Sequence, residues 1–155
     1  MTAEEGPPAH SVLQSAAFEF PVTDLLLDTD AVSILFKPAH PLYQEAYGIT
    51  VGNHLVIGFM TLAELSVWPI RNNWGGERRA LLKNFIALYT PLFPDETTCQ
   101  HWADISAESL DAGRPRGTAD IWIAACARQW GMALVTGNYK DFEHISGMTL
   151  VPLGP

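Results

Sequence analysis

The apolar residues of this chain fall into short unbroken runs and longer periodic ones, and the two kinds alternate. Leu25-Leu26-Leu27, bounded by Asp24 and Asp28, suits a strand buried on both faces. Thr29 then reads as the cap of a helix through Ala31 to Phe36, ended by Pro38. A second helix is expected from Pro41 to about Val51, with Gly52-Asn53 as a turn. His54 to Met60 predicts another strand, and Thr61 to Glu64 has the Ser/Thr-x-x-Glu form of a capping box opening a helix. Pro69 and the cluster from Asn72 to Gly76 close that helix.

Glu77 to Tyr89 carries Leu81, Leu82, Phe85, Ile86 and Tyr89 on one helical face, and Asp95 to Ala112 predicts a further, acidic helix. The segment Gly113-Arg114-Pro115-Arg116-Gly117 breaks the pattern. Thr118 caps a helix rich in alanine that stops at Gly131. Met132 to Thr136 is a third strand, Gly137 to Ile145 a loop or short helix, and Met148 to Val151 a last strand. Strands separated by helices at these intervals predict an α/β/α sandwich around a central, mainly parallel sheet of four to five strands. It occupies residues 24–155, and residues 1–23, with Gly6, Pro7 and Pro8, read as a mobile acidic arm.

Composition narrows the chemistry. With 155 residues, 48% hydrophobic and 17% charged, the chain fits one domain with a true core and excludes whole-chain disorder. Seventeen acids against nine Lys and Arg give a net charge of −8, which argues against a simple basic nucleic-acid-binding module. Cys99 and Cys126 are too few for a disulfide framework and too far apart for a zinc site, so both read as thiols of a reducing cytoplasm, Cys126 in the core. The five histidines show no ligand spacing. The first 23 residues hold no Lys or Arg, unlike a secretory or mitochondrial presequence. The uncharged run Ala46 to Ala63 is broken by Gly48, Gly52, Asn53, His54 and Gly58, so a soluble protein is expected.

Ligands of a parallel sheet bind beyond the carboxyl ends of its strands. The polar residues expected there are mostly acids: Asp28 and Asp30 after the first strand, Glu64 after the second, Asp120 at the start of the alanine-rich helix, and Asn138 with Asp141 after Thr136. Each has a structural reading as a cap, a first-turn carboxylate or a turn former. Asp28 resists that reading most, because a carboxylate ending a buried strand is costly unless it is paired or cation-bound. Converging carboxylates repel one another, and a hard divalent cation, Mg2+ or Mn2+, relieves that repulsion.

Four segments carry a specific resemblance: 25–30 (Leu-Leu-Leu-Asp-Thr-Asp), 61–65 (Thr-Leu-Ala-Glu-Leu), 118–125 (Thr-Ala-Asp-Ile-Trp-Ile-Ala-Ala) and 134–142 (Leu-Val-Thr-Gly-Asn-Tyr-Lys-Asp-Phe). In order and spacing they resemble PIN-domain ribonucleases, most closely the VapC-type toxins of bacterial toxin–antitoxin pairs, over residues 24 to 151. The resemblance implies that Asp28, Glu64 and Asp120 are the metal-site acids of a Mg2+- or Mn2+-dependent endoribonuclease. Its fourth position, often acidic, falls on Asn138, which leaves open whether one ion or two is bound; Asp30, Thr136 and Asp141 are accessory candidates. A homodimer silenced by a small antitoxin protein is likewise implied by the resemblance. Arg114 and Arg116, just ahead of Asp120, are the candidates for contact with RNA phosphates, and the cluster Arg71, Arg78, Arg79 and Lys83 reads as an exposed helix face. Trp122 and Trp130 are expected to pack, and Trp68 and Trp74 to belong to a dimer or antitoxin surface.

Two rivals stand beside this reading. Residues 26–32, Leu-Leu-Asp-Thr-Asp-Ala-Val, also resemble the first motif of haloacid-dehalogenase-like phosphatases, with Asp28 as nucleophile and Asp30 as acid/base. Too little chain follows Thr136 to supply that family's paired metal-binding acids. A noncatalytic PIN-like module that binds RNA or protein is the other, motivated by Asn138. A dinucleotide site is disfavoured because no Gly-x-Gly-x-x-Gly follows any strand.

Overall fold

The structure is a computed structural model that describes residues 22–114 and 117–155. The arm expected over 1–23 thus lies, up to residue 21, outside the described residues, as do Pro115 and Arg116. In chain order the elements are β1 (Asp24–Leu27), α1 (Thr29–Phe36), α2 (Tyr43–Thr50), β2 (His54–Gly58), α3 (Phe59–Arg71), α4 (Gly76–Ile86), β3 (Thr90–Leu92), α5 (Glu96–Asp111), α6 (Thr118–Trp130), β4 (Ala133–Thr136), α7 (Tyr139–Phe142) and β5 (Thr149–Pro152).

The five strands form one sheet in the order β3-β2-β1-β4-β5, and all four pairings are parallel. Side chains alternate across it, so Leu25 and Leu27 of β1 join one core with Ile57, Val135, Val32 and Leu65, while Leu26 joins the other with Val56, Leu134 and the inner face of α6. Helices therefore cover both faces, which is why the strands read as unbroken apolar runs. Ala124, Ala125 and Ala127 let α6 lie close to the sheet, with Cys126 buried among them. Gly131 adopts the left-handed conformation (φ +61°) and stops α6.

Local chemistry departs from the sequence pattern at several points. The cap of α1 is Asp28, whose Oδ1 accepts the Ala31 N–H at 2.8 Å, and Thr29 is already helical. The box expected at Thr61 to Glu64 does not form: α3 starts two residues earlier, with Gly58 at its cap position, and buries Thr61 within its first turn. Gly117, not Thr118, precedes α6. Pro69 lies inside α3 rather than closing it, and its carbonyl accepts from Trp74 N and Arg79 Nη2, anchoring the turn into α4. Trp130, expected to pack, is 55% exposed at the last residue of α6, past the turn that meets the sheet.

The three-residue edge strand β3 has no alternation and contains Pro91, which an edge tolerates. Its register is tied by His54, whose Nδ1 meets Asp24 Oδ1 at 2.8 Å and whose Nε2 meets Thr90 Oγ1 at 2.7 Å, linking β1, β2 and β3. His54→Ala is expected to lower stability by about 1 kcal/mol, with faster amide exchange confined to β3. Urea denaturation and hydrogen exchange check this, and exchange that quickens evenly over the sheet would refute the tie.

Candidate active site

Strands added on one side of β1 lead through β2 to β3, and those on the other through β4 to β5, so the direction of winding switches between β1 and β4. A crevice opens at the carboxyl ends of such a pair. β1 delivers Asp28 to it and β4 delivers Thr136, with Gly137 and Asn138 on the turn that follows. Gly137 allows this turn to approach α1: a Cβ there would lie 3.1 Å from Asp30 Cβ.

Asp28 is 4% exposed. Besides holding Ala31, its carboxylate accepts a 2.5 Å hydrogen bond at Oδ2 from the hydroxyl of Thr136, itself wholly buried. The Thr136 oxygen accepts from the Asn138 N–H at 2.9 Å. Asn138 in turn donates its Nδ2 to Asp30 Oδ2, so residues 108 positions apart in sequence share one network. Burial pushes the Asp28 pKa up to about 6; the Thr136 and Ala31 hydrogen bonds oppose the rise, and the charge of Asp30 adds to it. Neutral donors alone do not offset the desolvation of this carboxylate.

Glu64 and Asp120 come from helices that start at the same edge. The start of α3 is held to α1 by the hydroxyl of Thr29, which donates to Thr61 Oγ1 at 3.2 Å, and Glu64 lies one turn beyond, half-buried. The start of α3 also meets α6 through Phe59 and Trp122, whose rings stand edge to face at 5.3 Å. Asp120, half-buried in the first turn of α6, turns back over the helix start, where a Cβ on Gly117 would sit 3.6 Å from its Oδ2. The direct cluster is nevertheless Asp28, Asp30, Thr136 and Asn138. Among the described residues no three His, Cys, Asp or Glu side chains converge closely enough to hold a metal ion.

Asp141 lines an adjoining hollow with Asn138, Tyr139 and Lys140. Arg114 sits apart, exposed beside Glu108 and His144 between α5 and α7. The sequence reading did not find the Thr29–Thr61 bond, because a hydroxyl pair on two helix starts has no signature in spacing. The side-chain groups gathered at the crevice are two carboxylates (Asp28 and Asp30), one amide (Asn138) and one hydroxyl (Thr136), and all offer oxygen. That set suits a hard divalent cation, and the buried, charge-uncompensated Asp28 is the group such a cation would neutralise.

Fold and crevice together define a parallel α/β domain with a carboxylate site at its switch point. No family model matches the chain. It is 30% identical over 128 residues to Ribonuclease VapC1 of Haemophilus influenzae, spanning 79% of this chain and 92% of that protein. It is also 30% identical over 128 residues to the tRNA(fMet)-specific endonuclease VapC of Salmonella typhimurium, spanning 81% and 94%. Among solved structures, DNA-bound VapBC from Salmonella typhimurium superposes with a TM-score of 0.71 and 27% identity, covering 84% of this chain and 98% of that one. The chain belongs to the VapC family of PIN-domain ribonucleases.

Proposed function

We propose that the protein is an endoribonuclease that hydrolyses RNA phosphodiester bonds with a bound Mg2+ or Mn2+, and that it is the toxin of a toxin–antitoxin pair. The observation that carries the reading is Asp28: a buried carboxylate at the switch point, with a second carboxylate beside it and only neutral donors to hold it.

Asp28, Glu64 and Asp120 would hold the cation, with Asp30, Asn138 and Asp141 as the polar rim. When bound, such a cation lowers the pKa of a water and offsets the charge that develops on the phosphate. The chain's own part is positioning. The Ala31 N–H and the Thr136 hydroxyl fix the rotation of the Asp28 carboxylate and keep its remaining lone pairs toward the crevice. The Asn138 amide spreads the charge of Asp30 and holds the β4–α7 turn against α1. Arg114 and Arg116, which precede Asp120 in the sequence, are the proposed phosphate contacts. A small antitoxin protein, a homodimeric state and a cytoplasmic location complete the proposal, by family resemblance and by the VapBC complex that the fold matches.

Purified protein is incubated with total tRNA and with a single-stranded oligoribonucleotide, each with Mg2+ or Mn2+ and again with chelator. Cleavage that depends on the cation is expected. RNA left intact under both cations would overturn the enzyme assignment and favour the noncatalytic module.

A further inference from the structure

From the crevice, helices α1 and α3 run side by side, and their solvent-facing residues continue away from the acids at helical spacing. On α1 the accessible positions after Asp30 are Ser33 and Phe36, followed by the cap residue Lys37; on α3 Trp68 lies one turn beyond Glu64 on the same face, and the cap residue Asn72 one turn further. The seam begins at the Thr29–Thr61 bond and ends at the rings of Phe36, Trp68 and Trp74. At 1.5 Å per residue, seven residues of α1 place its far end about 10 Å from the acids.

A hollow of about 370 Å3 lies there, lined by Ser33, Phe36, Lys37, Trp68, Trp74 and Arg78 among others. In a chain of net charge −8 it presents two cations, and among the described residues neither Lys37 nor Arg78 enters an ion pair. The Arg78 guanidinium lies 4.2 Å from the centre of the Trp74 ring, and the Trp74 and Phe36 rings stack at 6.0 Å. The turn carrying Trp74 is fixed: its N–H donates to Pro69 O, and Arg79 donates to the carbonyls of Trp74 and Pro69. Rigid indole faces beside unpaired cations are what single-stranded nucleic acid binds, bases on rings and phosphates on cations. A size near the lower end of small-ligand pockets suits one nucleotide.

We propose that this hollow is an RNA subsite. It takes a nucleotide flanking the scissile bond, with its base against the Trp74 and Trp68 indoles and its phosphate at Lys37 and Arg78. The α1–α3 seam is the path from there to the acids. This rests on the ribonuclease reading of the crevice, and it assigns to RNA tryptophans that the sequence pattern gave to a protein interface.

The test uses the full chain carrying Asp28→Asn, so that bound RNA stays intact, and a fluorescein-labelled single-stranded oligoribonucleotide followed by anisotropy. Lys37→Gln with Arg78→Gln is expected to weaken binding about tenfold and to reduce the slope of log affinity against log salt by about 1.4. Lys83→Gln, an equally exposed cation of α4 outside the hollow, is expected to change affinity less than about twofold. Trp74→Leu is expected to weaken binding about tenfold, and Trp74→Phe, which keeps a ring in the cluster, by much less; thermal melts confirm that each variant is folded. Equal losses for the Lys83 variant and the double variant would show diffuse charge and overturn the subsite. Unchanged RNA affinity in the double and Trp74→Leu variants, with binding of a copurified antitoxin weakened instead, would assign the hollow to a protein segment. Absence of cleavage by the wild-type chain would count against the ribonuclease reading, a separate result from either.

Discussion

Asp28→Asn is expected to lower kcat/KM for RNA by about 10^3-fold or more, close to 4 kcal/mol of transition-state stabilisation, in a protein that still folds. The two effects separate because asparagine caps a helix about as well as aspartate. Its Oδ1 still accepts the Ala31 N–H, its volume is the same, and its Nδ2 faces the Thr136 oxygen. What disappears is the negative charge at the switch point. Asp28→Ala is the poorer test, because it leaves Ala31 N–H and the buried Thr136 hydroxyl without their acceptor and confuses folding with chemistry. Asp30→Asn should cost less, about tenfold, since Asp30 is exposed and its charge is already shared with Asn138. Rates are measured under single-turnover conditions with Mg2+ or Mn2+, and circular dichroism checks the fold. An Asp28→Asn protein that keeps a tenth or more of its cation-dependent cleavage would place the chemistry elsewhere.

The parts of this site legible in the sequence are those set by strand ends. Leu25-Leu26-Leu27 and Leu134-Val135 are continuous apolar runs because helices cover both faces of the sheet, and the polar residue after each run must then emerge at the carboxyl edge. That argument reaches Asp28, Glu64, Asp120, Thr136 and Asn138 without any structure, and the resemblance adds the metal-site role of Asp28, Glu64 and Asp120. It misplaces the caps. Thr29 and Thr61 look like capping residues, yet both are needed elsewhere, bonded to each other across two helix starts, and a buried Asp28 takes over the capping of α1. β3 is invisible for a related reason: three residues including a proline have no periodicity of their own, and pairing with β2 and the His54 bridge define them. The convergence of the acids is only partly realised. Asp28, Asp30 and Asn138 share a network, whereas Glu64 and Asp120 stand on neighbouring helices and approach through aromatic and hydroxyl contacts of those helices. The tryptophan hollow was out of reach because Trp68 and Trp74 lie on different elements, and their shared contact with Phe36 is set by how α1, α3 and α4 pack.

Chelator-treated protein is expected to gain stability as the pH is lowered from about 7 to about 4, the reverse of ordinary acid denaturation. The Asp28 pKa is raised to about 6 in the folded chain against 3.8 as a free carboxyl. Between these values the native state holds a proton that the unfolded state has released. The unfolding free energy therefore falls as pH rises through that window, by about 3 kcal/mol in all. Asp95 acts with the opposite sign: hydrogen bonds from Thr98 and Gln129 lower its pKa, so its contribution is present above 3.8 and lost only below that pH. Asp28 and Asp95 thus act in opposite senses and on opposite sides of 3.8. Urea denaturation of wild type and Asp28→Asn across the Asp28 window isolates the group, since the variant lacks the titration and its stability should be flatter with pH. Adding Mg2+ or Mn2+ at pH 7.5 should then stabilise the wild type, by about 2.7 kcal/mol at a hundredfold excess over the dissociation constant, and leave the variant nearly unchanged. Parallel pH curves for the two proteins would show that Asp28 carries no uncompensated charge, and the case for a cation at the switch point would lose its physical basis.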